Sequence, residues 1–326
     1  MDSGTLHARR DARRRAIRRR RRLAGGGVIV SALVAAVAVV ALAGGSGGSH
    51  SSSTAGLTPR RSASARTAGD RRPGATSASV PARSPGTPGE EPVPILMYHV
   101  IAPAPAGAPY PGLYVEPAEF AEQMQALKDA GWHAVTLDQV YAYWSKGASL
   151  GDGKPIVITF DNGYNSQYTQ ALPVLRRMGW VADENLQLTG LPPSQGGLGS
   201  GQIRGLLAAG WELDTQGISH ADLITLDAQE LHYQVAVARE TLRQRYHAPV
   251  NWFCYPSGDY DPTVVAAVKA AGFLGSTTVV PGWAHPGDDP YRLHRLRVLG
   301  GTSGRQLLEM IAGTRENPPA PSSYSA

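Results

Sequence analysis

Residues able to do chemistry follow apolar runs at four places in the sequence. They are Asp161 and Asn162 after PIVITF, Gln216 and His220 around the end of WELDTQ, Ser257 and Asp259 after VNWFCYP, and His99 at the end of PILMYH. Carboxylates, imidazoles, amides and hydroxyls could serve in general acid–base catalysis, hold a metal ion or bind a polar ligand. The elements that carry them must bring four separate chain segments together.

Short apolar runs alternate with longer helical patterns from Pro92 onward. We expect strands near 93–99, 134–137, 155–160, 184–189, 211–216, 250–256, 273–278 and 291–298. We expect helices near 117–130, 138–146, 167–178, 200–209, 227–246, 262–271 and 304–312. This alternation predicts an α/β fold with a parallel sheet, and its length suits a barrel. The carboxyl ends of barrel strands meet at one mouth, where the four polar segments would converge.

Four motifs resemble those of one known family. IVITFDNGY, SHADL, FCYPSGDYD and the MYH near the start are similar, in the same order, to motifs of the polysaccharide deacetylases, the NodB-homology or carbohydrate esterase family 4-like domain; the match covers about residues 92–300. The resemblance implies a distorted (β/α) barrel that removes N- or O-acetyl groups from glycans with a divalent, zinc-like metal. It also implies that Asp161 is the catalytic base, that His220 is a metal ligand, and that the Ser257 N–H stabilises the oxyanion.

The sequence departs from the family pattern at the metal ligands. Asn162 stands where the family has its second Asp, and Gln216 where it has the first of two His, so only His220 keeps a ligand's identity. Amide oxygens are poor zinc ligands beside a carboxylate or an imidazole. We therefore expect a metal site that was abandoned, or one rebuilt from other residues near the same rim. The candidates for rebuilding are His99, Asp214 and Asp259.

The predicted strand ENLQLT has one polar face. Asn185 and Gln187 alternate with leucines, and alternate residues of a strand share a face. If that face points into the barrel, these two amides join Asn162 and Gln216 in a neutral lining. Amides both donate and accept hydrogen bonds, which suits sugar hydroxyls or acetamido groups without any metal.

Several residues keep two open interpretations. Asp161 could be a turn or helix-cap residue, and His99 a structural histidine or part of the active-site wall. Trp283 could stack on a sugar ring or pack within its loop, and His294 could reach the mouth as a general acid. Cys254, where many family members have an Arg, is expected to be a small buried apolar residue. The remaining residues expected to line the substrate site are Tyr255, Asp259, Trp283 and His294.

Charge is distributed unevenly along the chain. The 326 residues carry a formal net charge of +5, but residues 1–22 hold ten Arg and two Asp. Subtracting that +8 leaves a net charge of −3 on the other 304 residues, so nucleic-acid binding by the folded part is not expected. A single Cys excludes a disulfide framework and CxxC sites. The sequence contains no glycine-rich phosphate-binding motif, so no nucleotide is expected.

An apolar segment follows the basic leader. Residues 23–43 hold no charged side chain and are long enough to span a bilayer, whereas Ala41-Leu42-Ala43 also suits signal-peptide cleavage. Both alternatives place the following chain outside, either anchored at the cell membrane by a single pass or secreted after cleavage at Ala43. We expect a cytoplasmic leader (1–22), the apolar segment (23–43), a disordered linker (44–91), one domain (92–313) and a flexible tail (314–326).

These patterns predict an exported polysaccharide-deacetylase-like protein. It would hydrolyse an N-acetyl (C–N amide) bond on an amino-sugar glycan of the cell wall or of an exopolysaccharide, with a zinc-like metal as the implied cofactor. The alternative is a metal-free carbohydrate-binding pseudoenzyme that uses the same groove, and a third hypothesis is a wall scaffold that contacts protein partners. Metal content separates the first two hypotheses, and glycan binding separates the second from the third.

Overall fold

The computed structural model describes residues 86–191 and 196–316. The predicted leader, the apolar segment, nearly all of the linker and the last ten residues lie outside these ranges. Within them, no helix has both the length and the apolar character needed to cross a membrane.

The strands in the described ranges run parallel in one sheet. In chain order they are β1 (Ile95–Tyr98), β2 (Trp132–Val135), β3 (Lys154–Asn162), β4 (Asp183–Leu186), β5 (Glu212–Thr215), β6 (Trp252–Cys254), β7 (Gly275–Thr277) and β8 (Leu296–Arg297). The hydrogen-bonded order is β7-β6-β5-β4-β3-β1-β8, and β2 pairs with the first half of β3. The result is a parallel-stranded α/β half-barrel, which confirms the predicted fold class.

Helices follow the strands along the chain. They are α1 (Pro117–Asp129), α2 (Leu137–Lys146), α3 (Leu172–Met178), α4 (Ser200–Ala208), α5 (Ala228–His232), α6 (Ala238–Tyr246), α7 (Pro262–Ala270) and α8 (Gly304–Glu316), with π-helical turns at Gln167–Ala171 before α3 and Tyr233–Val237 between α5 and α6. Local sequence explains several ends. Thr136 caps α2 in a capping box with Gln139, and Gly147, at φ 66°, ends that helix. Asp261 caps α7, whose first residue is Pro262.

Some element ends differ from the expectation. β8 contains only Leu296–Arg297 because Pro290–Arg292 forms a 3-10 turn, which Asp289 caps. β4 ends at Leu186, three residues before the predicted end. The last helix extends to Glu316, so the first residues of the predicted tail are helical.

The two ends of the sheet approach each other. β8 pairs with β1, while Leu293, just before β8, bridges to Thr277 at the end of β7. The Leu293 N–H donates to the Ser276 carbonyl at 3.0 Å, and the Thr278 N–H donates to the Leu293 carbonyl at 2.9 Å. This connection curls the sheet, so that the carboxyl ends of its strands gather around one centre.

Aromatic packing holds the central strands in place. Phe160 of β3 stacks on Trp211 with ring centroids 5.1 Å apart, and it also contacts Tyr98 and Phe120. A second cluster, which includes Phe253 of β6, packs α6 and α7 against the sheet. Burying each large apolar side chain contributes about 1.5–3 kcal/mol to the stability of the fold. This packing therefore stabilises the strands whose ends carry the polar residues.

Glu184 is a buried carboxyl without a hydrogen-bond partner among the described residues. It lies on β4 next to Phe160 in the sheet register, and both of its carboxyl oxygens are unsatisfied. Burial raises the pKa of Glu184 well above its usual value, and the charge of Asp161 raises it further. The folded structure therefore favours the neutral form of Glu184.

We expect Glu184→Gln to stabilise the protein increasingly as pH rises. Because the folded-state pKa is raised, the contribution of Glu184 to stability is greatest below about pH 4 and declines as pH rises, by up to about 1.4 kcal/mol per pH unit. Urea unfolding of the full chain between about pH 5 and pH 8 should show an advantage of the variant that grows with pH. Glu309→Gln, on an exposed part of α8, is the control and should show none. An advantage that does not change with pH would contradict a protonated Glu184.

Candidate functional site

The ends of β1, β3, β5 and β6 contribute to the wall of a cavity of about 860 Å³. Predicted site residues on this wall are His99, Asp161, Asn162, Gln187, Gln216, His220, Tyr255 and Ser257. The volume is in the upper part of the range of about 300–1,000 Å³ that is typical of small-molecule sites. The fold thus brings the four polar segments together.

Asp161 forms a buried ion pair with Arg295. Nη1 of Arg295 donates to Oδ1 of Asp161 at 2.7 Å, and Nη2 donates to Oδ2 at 2.9 Å. Arg295 also donates to Thr159 Oγ1 at 2.9 Å and to the Thr278 carbonyl at 2.8 Å, while Asn185 Nδ2 donates to Asp161 at 2.9 Å. Both charged residues are only 1% exposed. Such complete hydrogen bonding is what a buried ion pair needs to offset its desolvation.

The charge of Arg295 controls the protonation of Asp161. Burial alone would raise the pKa of Asp161, but the Arg295 charge and hydrogen bonds, with contributions from His99 and Asn185, hold the pKa well below its usual range. Asp161 is therefore ionised at physiological pH. It is also a weak base, because a group of low pKa gains little from taking up a proton.

Cys254 lies beside this ion pair, at the motif position where the family pattern has an arginine. Its Sγ is 3.2 Å from Nη2 of Arg295 and 3.5 Å from Oδ2 of Asp161. Burial raises the pKa of the Cys254 thiol to about 12, so it is neutral. The prediction of a small buried Cys254 is confirmed. The arginine next to the carboxylate comes instead from the segment that leads into β8.

Amide side chains occupy the family's metal-ligand positions. Asn162 Nδ2 donates to Oε1 of Gln187 at 3.0 Å, and Nε2 of Gln187 donates onward to a backbone carbonyl. Gln216 is buried, and its Oε1 has no hydrogen-bond partner among the described residues. Asn185 is fully buried and lies behind the wall, where it contacts Asp161. The Gln216 amide oxygen is thus buried in the wall, and leaving such a group unpaired costs about 1–3 kcal/mol.

Three wall residues have left-handed backbone conformations that residues other than glycine rarely adopt. The φ angles are 79° at Asn162, 53° at His220 and 56° at Ser257. Each such conformation costs of order 1–3 kcal/mol. Gly163 follows at φ 89°, where an added Cβ would collide with the Leu186 side chain. The chain is thus bent at three strand ends, and strain of this kind is concentrated at functional sites.

Two neutral imidazoles lie beside Asp161. Burial lowers the pKa of His99 to about 4, although the Asp161 charge opposes the shift, and burial also lowers the pKa of His220. His99 Nε2 is 3.8 Å from Oδ2 of Asp161, and its Nδ1 has no hydrogen-bond partner among the described residues. At neutral pH each ring offers one donor and one acceptor to a ligand.

The residues at the family's metal positions do not fit zinc. They present one imidazole, His220, and two amides, Asn162 and Gln216, while the Asp161 carboxylate is engaged by Arg295. A catalytic zinc takes three protein ligands from imidazoles, carboxylates and thiolates. In the described ranges, the group of three such side chains close enough to hold a metal ion lies elsewhere, on β4 and β5.

That group is a buried carboxyl cluster of Asp183, Glu212 and Asp214, whose ligand atoms lie within 4.8 Å of one another. Asp183 and Glu212 accept hydrogen bonds from the first two backbone N–H groups of α2, at 2.9 and 3.1 Å, and Asp214 accepts one from the Trp252 N–H at 2.8 Å. Burial raises the pKa of all three carboxyls, and neighbouring carboxylates raise it further. The cluster could hold a metal ion, but helix capping and retained protons already account for it. Asp214 is not on the cavity wall.

Other predicted residues also lie away from the wall. Trp283 is buried, packs edge-on against Trp132, and donates from Nε1 to the Ile311 carbonyl at 2.9 Å. The loop-packing interpretation of Trp283 is therefore correct, and the sugar-platform interpretation is wrong. His294 packs against Gly282, because adjacent strand residues point to opposite faces and Arg295 takes the inward direction. Asp259 does not line the cavity.

Part of the wall comes from residues that the sequence patterns did not single out. Segment 105–114 contributes to the wall, together with Arg297 and Leu299. Arg297 lies in β8 and Arg295 precedes that strand by one residue; two positions apart in an extended chain, they share the inward face. The sequence signal that could have identified these two arginines as inward-facing is their alternation with apolar residues in the last predicted strand.

Comparisons with known proteins agree with this geometry. Residues 149–275 match the family model described as polysaccharide deacetylase. YxkH of Bacillus subtilis, whose name places it among the polysaccharide deacetylases, is 28% identical over 212 residues, covering 65% of this chain and 73% of that protein. The Streptococcus pyogenes deacetylase PplD, solved in complex with acetate, aligns with a TM-score of 0.62 at 26% identity, covering 69% of this chain and 99% of PplD. A shorter match to the poly-β-1,6-N-acetyl-D-glucosamine N-deacetylase of Escherichia coli K12, 34% identical over 68 residues, covers 21% of this chain and 10% of that protein.

We expect loss of Arg295 to destabilise the fold through Asp161. Arg295→Met leaves a buried carboxylate without its counter-charge, which should lower the free energy of unfolding by about 3–5 kcal/mol. Adding Asp161→Asn removes that charge and should recover part of the loss. A double-mutant cycle measured by urea unfolding should therefore give a coupling energy above about 1 kcal/mol.

The matched control for this cycle is Arg305→Met, whose side chain is exposed on α8. It should change the free energy of unfolding by less than about 0.5 kcal/mol. If the effects of Arg295→Met and Asp161→Asn simply add, the two residues do not act as a pair.

Proposed function

The chain belongs to the polysaccharide deacetylase family, and from this premise we propose that its cavity binds an N-acetylated amino-sugar glycan without hydrolysing it. One observation carries the proposal. At the family's metal-ligand positions the cavity presents the Asn162–Gln187 amide pair and the buried amide of Gln216. These groups form hydrogen bonds with neutral polar ligands but do not assemble a metal site.

The chemistry of the wall suits an acetamido sugar. An acetamido group carries one N–H donor and one carbonyl acceptor, and sugar hydroxyls carry both functions. The amide side chains of Asn162, Gln187 and Gln216 line the cavity. The neutral rings of His99 and His220, on the same wall, can donate to such a ligand or accept from it. The charge of Asp161 is balanced by that of Arg295, so this ion pair adds no net charge to the wall, on which Arg297 is a further charged residue.

Water activation is what the site lacks for hydrolysis. Free water has a pKa of about 15.7, against about 7 for a zinc-bound water. The pKa of Asp161 lies below the ordinary 3.8, so moving a proton from free water to this carboxylate is uphill by more than about 12 pKa units, or roughly 16 kcal/mol. His99, with a pKa of about 4, is a somewhat stronger base, but proton transfer to it from free water is still uphill by about 12 pKa units.

Deacetylation remains the second candidate function because three of the family's catalytic positions are present on the wall. Asp161, His220 and Ser257 line the same cavity. If this cavity hydrolyses an acetamide, Asp161 takes the proton and the Ser257 N–H faces the oxyanion.

The proposal places the domain outside the cell. A basic leader followed by an apolar segment at residues 23–43 suits a single-pass anchor or a signal peptide cleaved after Ala43. The glycan would then be a cell-wall or exopolysaccharide amino-sugar polymer. The partial match to the poly-β-1,6-N-acetyl-D-glucosamine N-deacetylase of Escherichia coli K12 supports an amino-sugar polymer as the substrate class.

Two assays on the full chain separate binding from hydrolysis. Calorimetric titration with N-acetylglucosamine oligomers should show binding, while acetate release, with and without added zinc, should not exceed that of Asp161→Asn. Acetate release that depends on Asp161 would replace the binding proposal with deacetylation. Failure to bind any acetylated oligomer would overturn both and favour a protein-binding scaffold.

We expect the double substitution Asn162→Asp/Gln216→His to create a zinc site. It supplies a carboxylate and an imidazole next to His220 and so completes a set of three ligands. Zinc measured after dialysis should approach one ion per chain, with an affinity at least about 100-fold above that of the unmodified protein. Asn165→Asp, a carboxylate placed outside the cavity wall, is the control. Absence of zinc in the double variant would show that these positions do not converge.

A further inference from the structure

We infer that Tyr110 is a stacking platform for a second sugar ring of the bound glycan, at the rim of the cavity. The inference depends on the proposed glycan-binding function and adds to it the recognition of an oligomer rather than a single sugar. The residue lies in segment 105–114, outside every motif by which the sequence resembles its family.

Tyr110 is exposed at the cavity itself. The large hydrophobic residues found exposed in the described ranges are Tyr110 at 59%, Tyr233 at 52% and Leu299 at 38%. Tyr110 and Leu299 both line the cavity that contains Asn162 and Gln216. The exposed side chains of Tyr110 and Leu299 are therefore available for contact with a ligand in this cavity.

The chemistry of the occupant follows from the ring. A pyranose has an apolar C–H face and a polar edge of hydroxyl groups, and the flat face of Tyr110 suits the former. Trp283, the aromatic residue first considered for this role, is buried in the core. Tyr110 therefore provides at the cavity mouth the surface that Trp283 cannot provide.

The backbone around Tyr110 is fixed before any ligand arrives. Pro109 and Pro111 flank it, and proline restricts φ to about −65°. The turn Pro111–Leu113 is closed by a hydrogen bond from the Leu113 N–H to the Tyr110 carbonyl at 3.1 Å. A preorganised backbone reduces the conformational entropy that is lost on binding.

Two more hydrogen bonds tie this segment to the half-barrel. The Val115 N–H donates to the Val100 carbonyl at 2.9 Å, and the Gly300 N–H donates to the Gly112 carbonyl at 3.0 Å. The first anchors the segment next to β1, and the second anchors it just after β8. The position of Tyr110 relative to the amide-lined part of the wall is thus set by the sheet.

The cavity has room for more than one sugar. A drug-sized ligand fills a site of about 300–1,000 Å³, and one pyranose is smaller than that, while this cavity measures about 860 Å³. One acetamido sugar at the amides leaves room for a neighbouring ring on Tyr110.

The test compares ligands of two lengths on the full chain. We expect Tyr110→Ala to weaken binding of a β-1,6-linked N-acetylglucosamine tetramer about 5- to 20-fold and to leave binding of the monosaccharide unchanged. Tyr110→Phe, which keeps the ring face, should stay within about threefold of the unmodified protein. Tyr233→Ala removes a similarly exposed tyrosine elsewhere and should change neither affinity.

The outcomes separate this inference from the proposed function. If neither ligand binds the unmodified chain, the glycan-binding proposal fails and the platform fails with it. If both bind and Tyr110→Ala binds the tetramer normally, only the platform is wrong. Equal losses in Tyr110→Ala and Tyr110→Phe would overturn stacking, because the hydroxyl rather than the ring would then carry the affinity. Equal losses in Tyr110→Ala and Tyr233→Ala would also overturn it.

Discussion

A carboxylate and a guanidinium, both withdrawn from water, meet within the half-barrel, and each holds the other in place. Asp161 sits at the end of the central strand β3, while Arg295 comes from the segment before β8, which pairs with β1. The remaining donors of Arg295 are used by Thr159, Thr278 and Cys254. A buried charge without its partner costs several kcal/mol. Loss of either residue alone would therefore leave an unpaired buried charge at the mouth of the half-barrel.

This ion pair also sets the electrostatics of the cavity. With Asp161 matched by Arg295 and with His99 and His220 neutral, the wall nearest the motifs offers hydrogen bonds rather than free charge. A divalent metal would need anionic or imidazole ligands in that same place. Where the family pattern has an acid and an imidazole, this chain has Asn162 and Gln216. Their amide groups are poor metal ligands but form hydrogen bonds, which is consistent with a wall that offers hydrogen bonds rather than free charge.

Periodicity and turn residues were enough to predict the parallel α/β class and the order of its elements. The strand-end rule correctly gathered His99, Asp161, Gln216 and Ser257 on one wall. It failed in the last strand, where a one-residue difference in alternation decides whether His294 or Arg295 points inward. It also could not foresee that Asp214 would join carboxyls that cap α2, since that contact depends on residues far apart in the chain.

Arg295 lies 134 residues after Asp161 in the chain. At a synthesis rate of about 5–20 residues per second, the ribosome needs roughly 7 to 27 seconds to make the segment between them. During that time Asp161 can remain hydrated, but β3 cannot be buried around it at low cost. A chain interrupted before Arg295 would keep every recognisable motif. It would still lack the counter-charge that allows Asp161 to be buried away from water. The C-terminal segment thus supplies the charge partner of a site whose signature residues lie upstream.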